Sequence, residues 1–220
     1  MPAFFGALGD IHGDFASARR IMTRHPDIPF WLCVGDVADE QGRYEAFPAP
    51  LYWIKGNNEN FDAIEAGAFP DTLRFLANAQ PLEIDGLRVL GLGGTLAPTW
   101  YDTPAAALPH PKKGSAKATE LADKRRHFVR EEVESCTTVR AVDVLLTHEA
   151  PRPFKVGRIE AGKAPVNEVL AAVKPRLHLF GHHHRFAEQE YGGVRSICLD
   201  LVSRSYLVID GNSLAYEVRS

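Results

Sequence analysis

Ala3-Phe4-Phe5-Gly6-Ala7-Leu8-Gly9-Asp10-Ile11-His12-Gly13 is the stretch on which the fold turns. The apolar run over 3–8 is too short for a helix and suits a buried strand, and it stops abruptly at Gly-Asp. The same grammar returns four times. Residues 30–35 end in Gly35-Asp36, 51–54 in Lys55-Gly56-Asn57, 142–146 in Thr147-His148, and 177–180 in Gly181-His182-His183-His184. Helical spacing over 14–24 (Phe15, Ala18, Ile21, Met22, with Asp14 as N-cap) and over 166–173 separates strands, and 118–134 reads as a charged helix. Alternating strands and helices predict parallel pairing and an α/β sheet. Asp85-Gly86, Gly192-Gly193 and Asp210-Gly211 predict hairpins, the last two in an antiparallel tail.

In such sheets ligands bind beyond the carboxyl ends of the strands. Five strands therefore deliver Asp10, His12, Asp36, Asn57, His148, His182 and His184 to one edge. Imidazole suits Zn, Fe and Ni, whereas carboxylate and carbonyl oxygens suit harder ions such as Mn. Seven mixed N/O donors exceed what one tetrahedral zinc uses. A carboxylate can bridge two ions about 3.5–4 Å apart, a separation that serves hydrolysis at phosphorus.

The ordered set Asp-x-His, Gly-Asp, Gly-Asn, Thr-His, Gly-His-x-His, from Asp10 to His184, resembles the calcineurin-like metallophosphoesterase superfamily. The resemblance implies a four-layer sandwich: two mixed β-sheets flanked by helices. It implies one divalent ion on Asp10, His12, Asp36 and His184 and a second on Asp36, Asn57, His148 and His182, with Asp36 between them. Manganese is the expected metal, with Fe, Zn, Ni or Co as alternatives. A hydroxide bridging the metals would attack phosphorus in line.

One departure shapes the functional expectation. Many members carry Gly-Asn-His-Glu or Gly-Asn-His-Asp, where the His meets substrate; here the run is Gly56-Asn57-Asn58-Glu59. Asn58 can donate a hydrogen bond to a phosphate oxygen but cannot protonate a leaving group near neutral pH. Some bacterial phosphodiesterases of the superfamily also lack that His, so a phosphodiesterase is expected before a monoesterase. After Asp36 comes Val37-Ala38-Asp39-Glu40-Gln41, not the Asp-x-x-Asp-Arg-Gly of phosphoprotein phosphatases. Leu145–Pro151 and Lys174–His182 resemble the RNA lariat-debranching branch. Two alternatives are an RNA-processing phosphodiesterase and a non-catalytic protein-binding scaffold, the role of a retromer subunit on this fold.

Residues 95–117 hold Pro98, Pro104, Pro109 and Pro111 and read as a long loop or insert. Its Trp100, Tyr101, Lys112 and Lys113 are expected contacts to a phosphoester substrate, a nucleotide or RNA among the candidates. The basic stretch over 110–130 reads first as the solvated face of the charged helix, with attraction of a polyanion such as RNA as the alternative. Asn58 and His183 are the expected catalytic contacts. His25, His110, His127 and His178 fall outside the motifs and are expected to be structural.

The 220 residues are 45% hydrophobic with a net charge of −3, which fits one globular domain over 1–220 and excludes disorder and a charge-driven nucleic-acid coat. Cys33, Cys136 and Cys198 form no CxxC pair, which excludes a Cys-based zinc site and suits a reducing compartment. No apolar run approaches the ~20 residues of a membrane span, and the start lacks a basic leader. A cytoplasmic protein without a membrane partner is expected; the oligomeric state is left open.

Overall fold

The computed structural model describes residues 2–111 and 122–220. In chain order the first half contains β1 (Phe4–Leu8), α1 (Phe15–Arg24), β2 (Trp31–Cys33), β3 (Leu51–Trp53), α2 (Phe61–Ala66), β4 (Leu73–Phe75), β5 (Leu82–Ile84), β6 (Leu87–Leu92) and β7 (Thr95–Leu96). The second contains β8 (His127–Phe128), α3 (Arg130–Thr138), β9 (Val144–Thr147), β10 (Lys155–Val156), β11 (Ile159–Glu160), α4 (Ala164–Val173), β12 (Leu177–Phe180), β13 (Ala187–Tyr191), β14 (Val194–Cys198), β15 (Tyr206–Asp210) and β16 (Tyr216–Arg219).

Two six-stranded mixed sheets face each other, ordered β16-β15-β1-β2-β3-β4 and β13-β14-β12-β9-β6-β5. β1, β2, β3 and β4 pair in parallel, as do β6, β9, β12 and β14. Phe5, Ala7, Leu32, Val34 and Ile54 of the first sheet meet Val89, Val144, Leu146, Leu177, Leu179 and Ile197 of the second in a fully buried core. On the outer face of the first sheet, Leu8, Trp31, Cys33 and Trp53 receive Phe15, Ala18, Ile21 and Met22 of α1. On the outer face of the second, Leu90, Leu92 and Leu145 receive Val133 and Cys136 of α3 and Val166, Val169, Leu170 and Val173 of α4. The result is the expected four-layer α/β sandwich. Strands buried on both faces need apolar residues at every position, which is why they read as unbroken runs.

The caps are local. Asp14 accepts the Ser17 amide at 3.1 Å and starts α1. The hairpins expected at Asp85-Gly86, Gly192-Gly193 and after Asp210 join β5–β6, β13–β14 and β15–β16. The charged helix expected over 118–134 is corrected: α3 begins only at Arg130, and Lys124–Arg126 forms a single 3-10 turn. Tertiary partners override helix propensity there, because Phe128 is buried and β8 pairs in parallel with β7. Residues 112–121, including Lys112 and Lys113, lie outside the described residues. Among the described residues no helix is long and apolar enough to cross a membrane. The three cysteines are buried and unpaired.

His178, in the middle of β12, ties three neighbouring strands of the second sheet together. Thr147 gives its hydroxyl proton to Glu149 O at 2.7 Å, so it accepts from His178 Nε2 at 2.8 Å. His178 Nδ1 then accepts from Ser196 Oγ at 3.0 Å. Burial pushes its imidazole down to about 3 and keeps it neutral. A base whose folded pKa is depressed contributes stability above its unfolded value and loses it as pH falls from about 6.5, at about 1.4 kcal/mol per pH unit. His178→Asn, which cannot take up that proton, will unfold more easily at pH 7.5 but lose less stability between pH 6.5 and 5 than the parent in urea titrations. An unchanged slope would assign the acid sensitivity to another group.

Candidate metal centre

Each of the five parallel strands singled out in the sequence delivers its terminal side chain to one cleft edge. Asp10 follows β1, Asp36 follows β2 and Asn57 follows β3 in the first sheet; His148 follows β9, and His182 and His184 follow β12, in the second. Asp10, Asp36 and His148 are buried, whereas His12 and His184 open to solvent. The turns are sharp: His12, Asp36, His182 and His184 all take left-handed backbone, with φ of 47°, 52°, 70° and 48°. Non-glycine residues rarely adopt it, and such strain concentrates at sites where the surrounding fold overdetermines geometry. Gly56 is obligatory, since a Cβ there would sit 1.9 Å from Asp36 Oδ1.

The Nε2 atoms of His12 and His184 stand 3.1 Å apart, and His184 Nε2 is 3.1 Å from Asp10 Oδ2. Asp36 Oδ2 lies 3.6 Å from His12 Nε2 and 3.7 Å from His148 Nε2, between the two imidazoles. His148 Nε2 is also 3.0 Å from Asn57 Oδ1, while its Nδ1 donates across the sheets to Val34 O at 2.8 Å. That second-nitrogen bond fixes the tautomer and leaves Nε2 as the free donor atom. The His182 ring lies 4.9 Å from that of His148, and its amide donates to both Asp10 oxygens.

Ligand atoms of Asp10, His12 and His184 fall within 4.8 Å of one another, and so do those of Asp10, Asp36 and His148. The two adjacent groups share the Asp10 carboxylate, and their mix of carboxylate and imidazole fits divalent ions by the chemistry of the donor set. The electrostatics agree. Burial alone would raise the Asp36 carboxyl, but His148 and two hydrogen bonds from Asn58 hold it below the usual carboxylate range. Burial would lower His148, but Asp36 and Asp10 raise it. Burial and His148 together push His182 down to about 4.

The remaining expected residues fall around this cluster. Asn58 faces Asp36, donating its amide to Oδ1 at 2.8 Å and its side chain to Oδ2 at 2.9 Å. His183 leans on Phe154 with ring centroids 4.7 Å apart, and its Nε2 has no partner among the described residues. Trp100 lies under Lys124, and Tyr101 packs edge-on against Phe128 beneath Arg130.

Three supporting residues went unassigned in the sequence. Glu59 collects the amides of Val37 (3.0 Å) and Ala38 (3.3 Å) and the Tyr44 hydroxyl (2.9 Å), clamping the loops after β2 and β3 together. Burial, then the charge of Asp36, pushes it up to about 8. Glu149 accepts the Leu96 amide at 3.2 Å and faces Lys163 at 3.9 Å. Lys55, immediately before Gly56, donates to Arg125 O at 3.0 Å and His127 O at 3.1 Å and faces Glu132 at 3.8 Å. Arg125 is itself held by Asp123, Asp62 and Glu65. The one available signal was a lysine directly after an all-apolar strand.

Lys55→Met would strand two carbonyls and remove the cation facing Glu132, which keeps its bonds from Asn78 and Val129. A loss of about 2–4 kcal/mol in chemical denaturation is expected. Lys55→Arg should recover part of it.

The sequence matches the calcineurin-like phosphoesterase family profile over residues 5–186. It matches no curated protein. Among solved structures, a protein of Thermus thermophilus superposes with a TM-score of 0.67 at 13% identity, covering 100% of this chain and 99% of that one. The calcineurin-like phosphoesterase YfkN from Bacillus subtilis gives 0.56 at 14%, covering 99% and 88%. The inner-membrane-complex anchor GAP50 of Plasmodium gives 0.54 at 12%, covering 99% and 84%. These identities establish the shared fold alone. The family profile spans most of the chain, including all five strand-end motifs, and on that ground the protein belongs to the calcineurin-like phosphoesterase family.

Proposed function

We propose that this protein is a metal-dependent phosphodiesterase, with Asp10, His12, Asp36, Asn57, His148, His182 and His184 holding two divalent ions, manganese first among them, and Asp36 shared. Such ions would neutralise phosphate charge and activate water for attack on phosphorus. The observation that carries the preference for diesters is Asn58. Its side chain is bound to Asp36, so it orients the shared carboxylate instead of standing ready to protonate a leaving group. The pocket is rich in carboxylates, with Asp10 and Asp36 buried in it, and a diester brings less negative charge to it than a monoester.

The chain's own groups divide the work. Asp36 and Asn58 set the carboxylate geometry. Glu59 and Gly56 hold the loops that carry them. His183 keeps a buried, unpartnered Nε2 beside the cluster, and burial pushes its imidazole down to about 3, so in this reading it serves as a neutral contact and not as a proton donor at neutral pH. Trp100 and Tyr101 are engaged with Lys124, Phe128 and Arg130, so substrate contact in this reading comes chiefly from Asn58 and His183.

With added Mn²⁺ the purified protein should hydrolyse an activated aryl phosphodiester faster than the matching monoester, and Asp36→Asn should reduce the rate to background. His183→Ala should lower the rate on alkyl and aryl diesters by a similar factor, as expected of a neutral contact that protonates no leaving group. Metal-loaded protein inactive on both ester classes would overturn the reading. Zero bound metal by elemental analysis after metal-replete purification would point instead to a protein-binding scaffold.

A further inference from the structure

Between His148 and α4 the chain makes an excursion that the metal centre does not use. Its base is locked. Lys163 N bonds Ala150 O at 2.8 Å, and Pro151 bridges Lys163 in parallel. Phe154, fully buried, packs on Phe180 at 5.2 Å and on His183 at 4.7 Å. Arg185, next after the His182–His184 run, donates to Lys155 O at 2.6 Å and lays its guanidinium 4.4 Å from the Phe154 ring centre. The excursion is therefore anchored to both histidine-bearing loops of the second sheet.

From this base the β10–β11 hairpin projects through the two-residue turn Gly157-Arg158, with Gly157 at φ 62° and nothing within 4 Å of where its Cβ would be. The paired positions flanking the turn are apolar and wet: Val156 is 42% exposed and Ile159 73%, the highest value among the exposed large hydrophobics. Phe186, beside Arg185, is 39% exposed. The charge around this apolar tip is predominantly basic, with Lys155 and Arg158 on the hairpin and Arg152 and Arg185 at its base against Glu160 and the neighbouring Glu190. Lys155 and Arg158 have no ion-pair partner among the described residues. Glu160, opposite Lys155 across the pair, is exposed; it accepts the amides of Phe154 (2.9 Å) and Gly162 (2.8 Å), and the charges of Arg152 and Lys155 act on it.

We propose that this hairpin docks the protein on an anionic lipid surface, with Ile159 and Val156 entering the headgroup boundary while Lys155 and Arg158 meet lipid phosphates. Apolar tips rimmed by Lys and Arg gain from both insertion and the negative surface potential. Nucleic acid fits the tip less well, because unpaired bases are gripped by stacking on aromatic rings and the tip residues are aliphatic. The contact is peripheral; the expectation of no membrane partner rested on the lack of a spanning segment and does not address a surface contact. The hairpin's anchorage to the His183 and Arg185 loop places the docked surface beside the cleft.

The proposal is read by vesicle binding and is independent of the phosphodiesterase reading, which is read by hydrolysis of a soluble diester. The full chain should co-sediment with vesicles of equimolar phosphatidylcholine and phosphatidylglycerol and not with phosphatidylcholine alone. Ile159→Asp and Arg158→Glu should each weaken that binding by roughly tenfold. Both should keep the parent circular dichroism, thermal midpoint and activity on soluble substrate, since both side chains stand in water. Three results would overturn it: no binding to anionic vesicles, binding unchanged in both variants, or Ile159→Asp splitting a dimer in sedimentation while vesicle binding is absent. Binding of a single-stranded oligonucleotide that Arg158→Glu abolishes, without vesicle binding, would assign the surface to nucleic acid and likewise overturn it.

Discussion

Asp36 is the residue on which the other loops hang. Its carbonyl accepts the amides of Ile11 (3.0 Å) and His12 (2.7 Å), which fastens the loop after β1. Its carboxylate accepts two hydrogen bonds from Asn58, which fastens the loop after β3. The next two amides, of Val37 and Ala38, go to Glu59. A single buried residue in left-handed conformation thus holds three strand ends in register, and the strain of that conformation is offset by the bonds it makes possible. Loosening it would displace Asp10, His12 and Asn57 together.

The same arrangement concentrates charge. Asp10 and Asp36 are buried within reach of His12, His148 and His184, and their charges raise the proton affinity of His148 and His184. Unpaired anions in a dry interior are costly, so a centre of this kind is stabilised by cations, whether protons on imidazole or divalent ions. Protons and divalent ions then compete for the same nitrogen atoms. The stability of the cleft edge and its occupancy are therefore linked quantities rather than separate properties of the protein.

The cleft-forming strands were legible because parallel strands buried on both faces must be apolar throughout, and each stops at a glycine or a polar residue. What escaped the sequence depends on distant partners. β4 (Leu73–Phe75) is a strand because it pairs with β3, although its run is interrupted by Arg74. The 127–128 segment looks helical by composition, but burial of Phe128 and pairing with Thr95–Leu96 draw it into a strand. Lys55 looks like an ordinary surface lysine until Arg125 and His127 bring their carbonyls to it from some 70 positions away. The β10–β11 hairpin carries a recognisable Gly-Arg turn but too few apolar residues to announce itself; it is held by Phe154 and Arg185. Types of donor were thus readable from local chemistry, and their supports were not.

Donors drawn from two sheets give the protein an order of assembly. Asp10, Asp36 and Asn57 come from the first sheet, and His148, His182 and His184 from the second; the His148–Val34 bond crosses the seam. Neither sheet alone can present a full set. An ion that needed donors from both sheets would be held only by the docked sandwich. It would then act as a latch, slowing undocking of the sheets while leaving the formation of each sheet untouched.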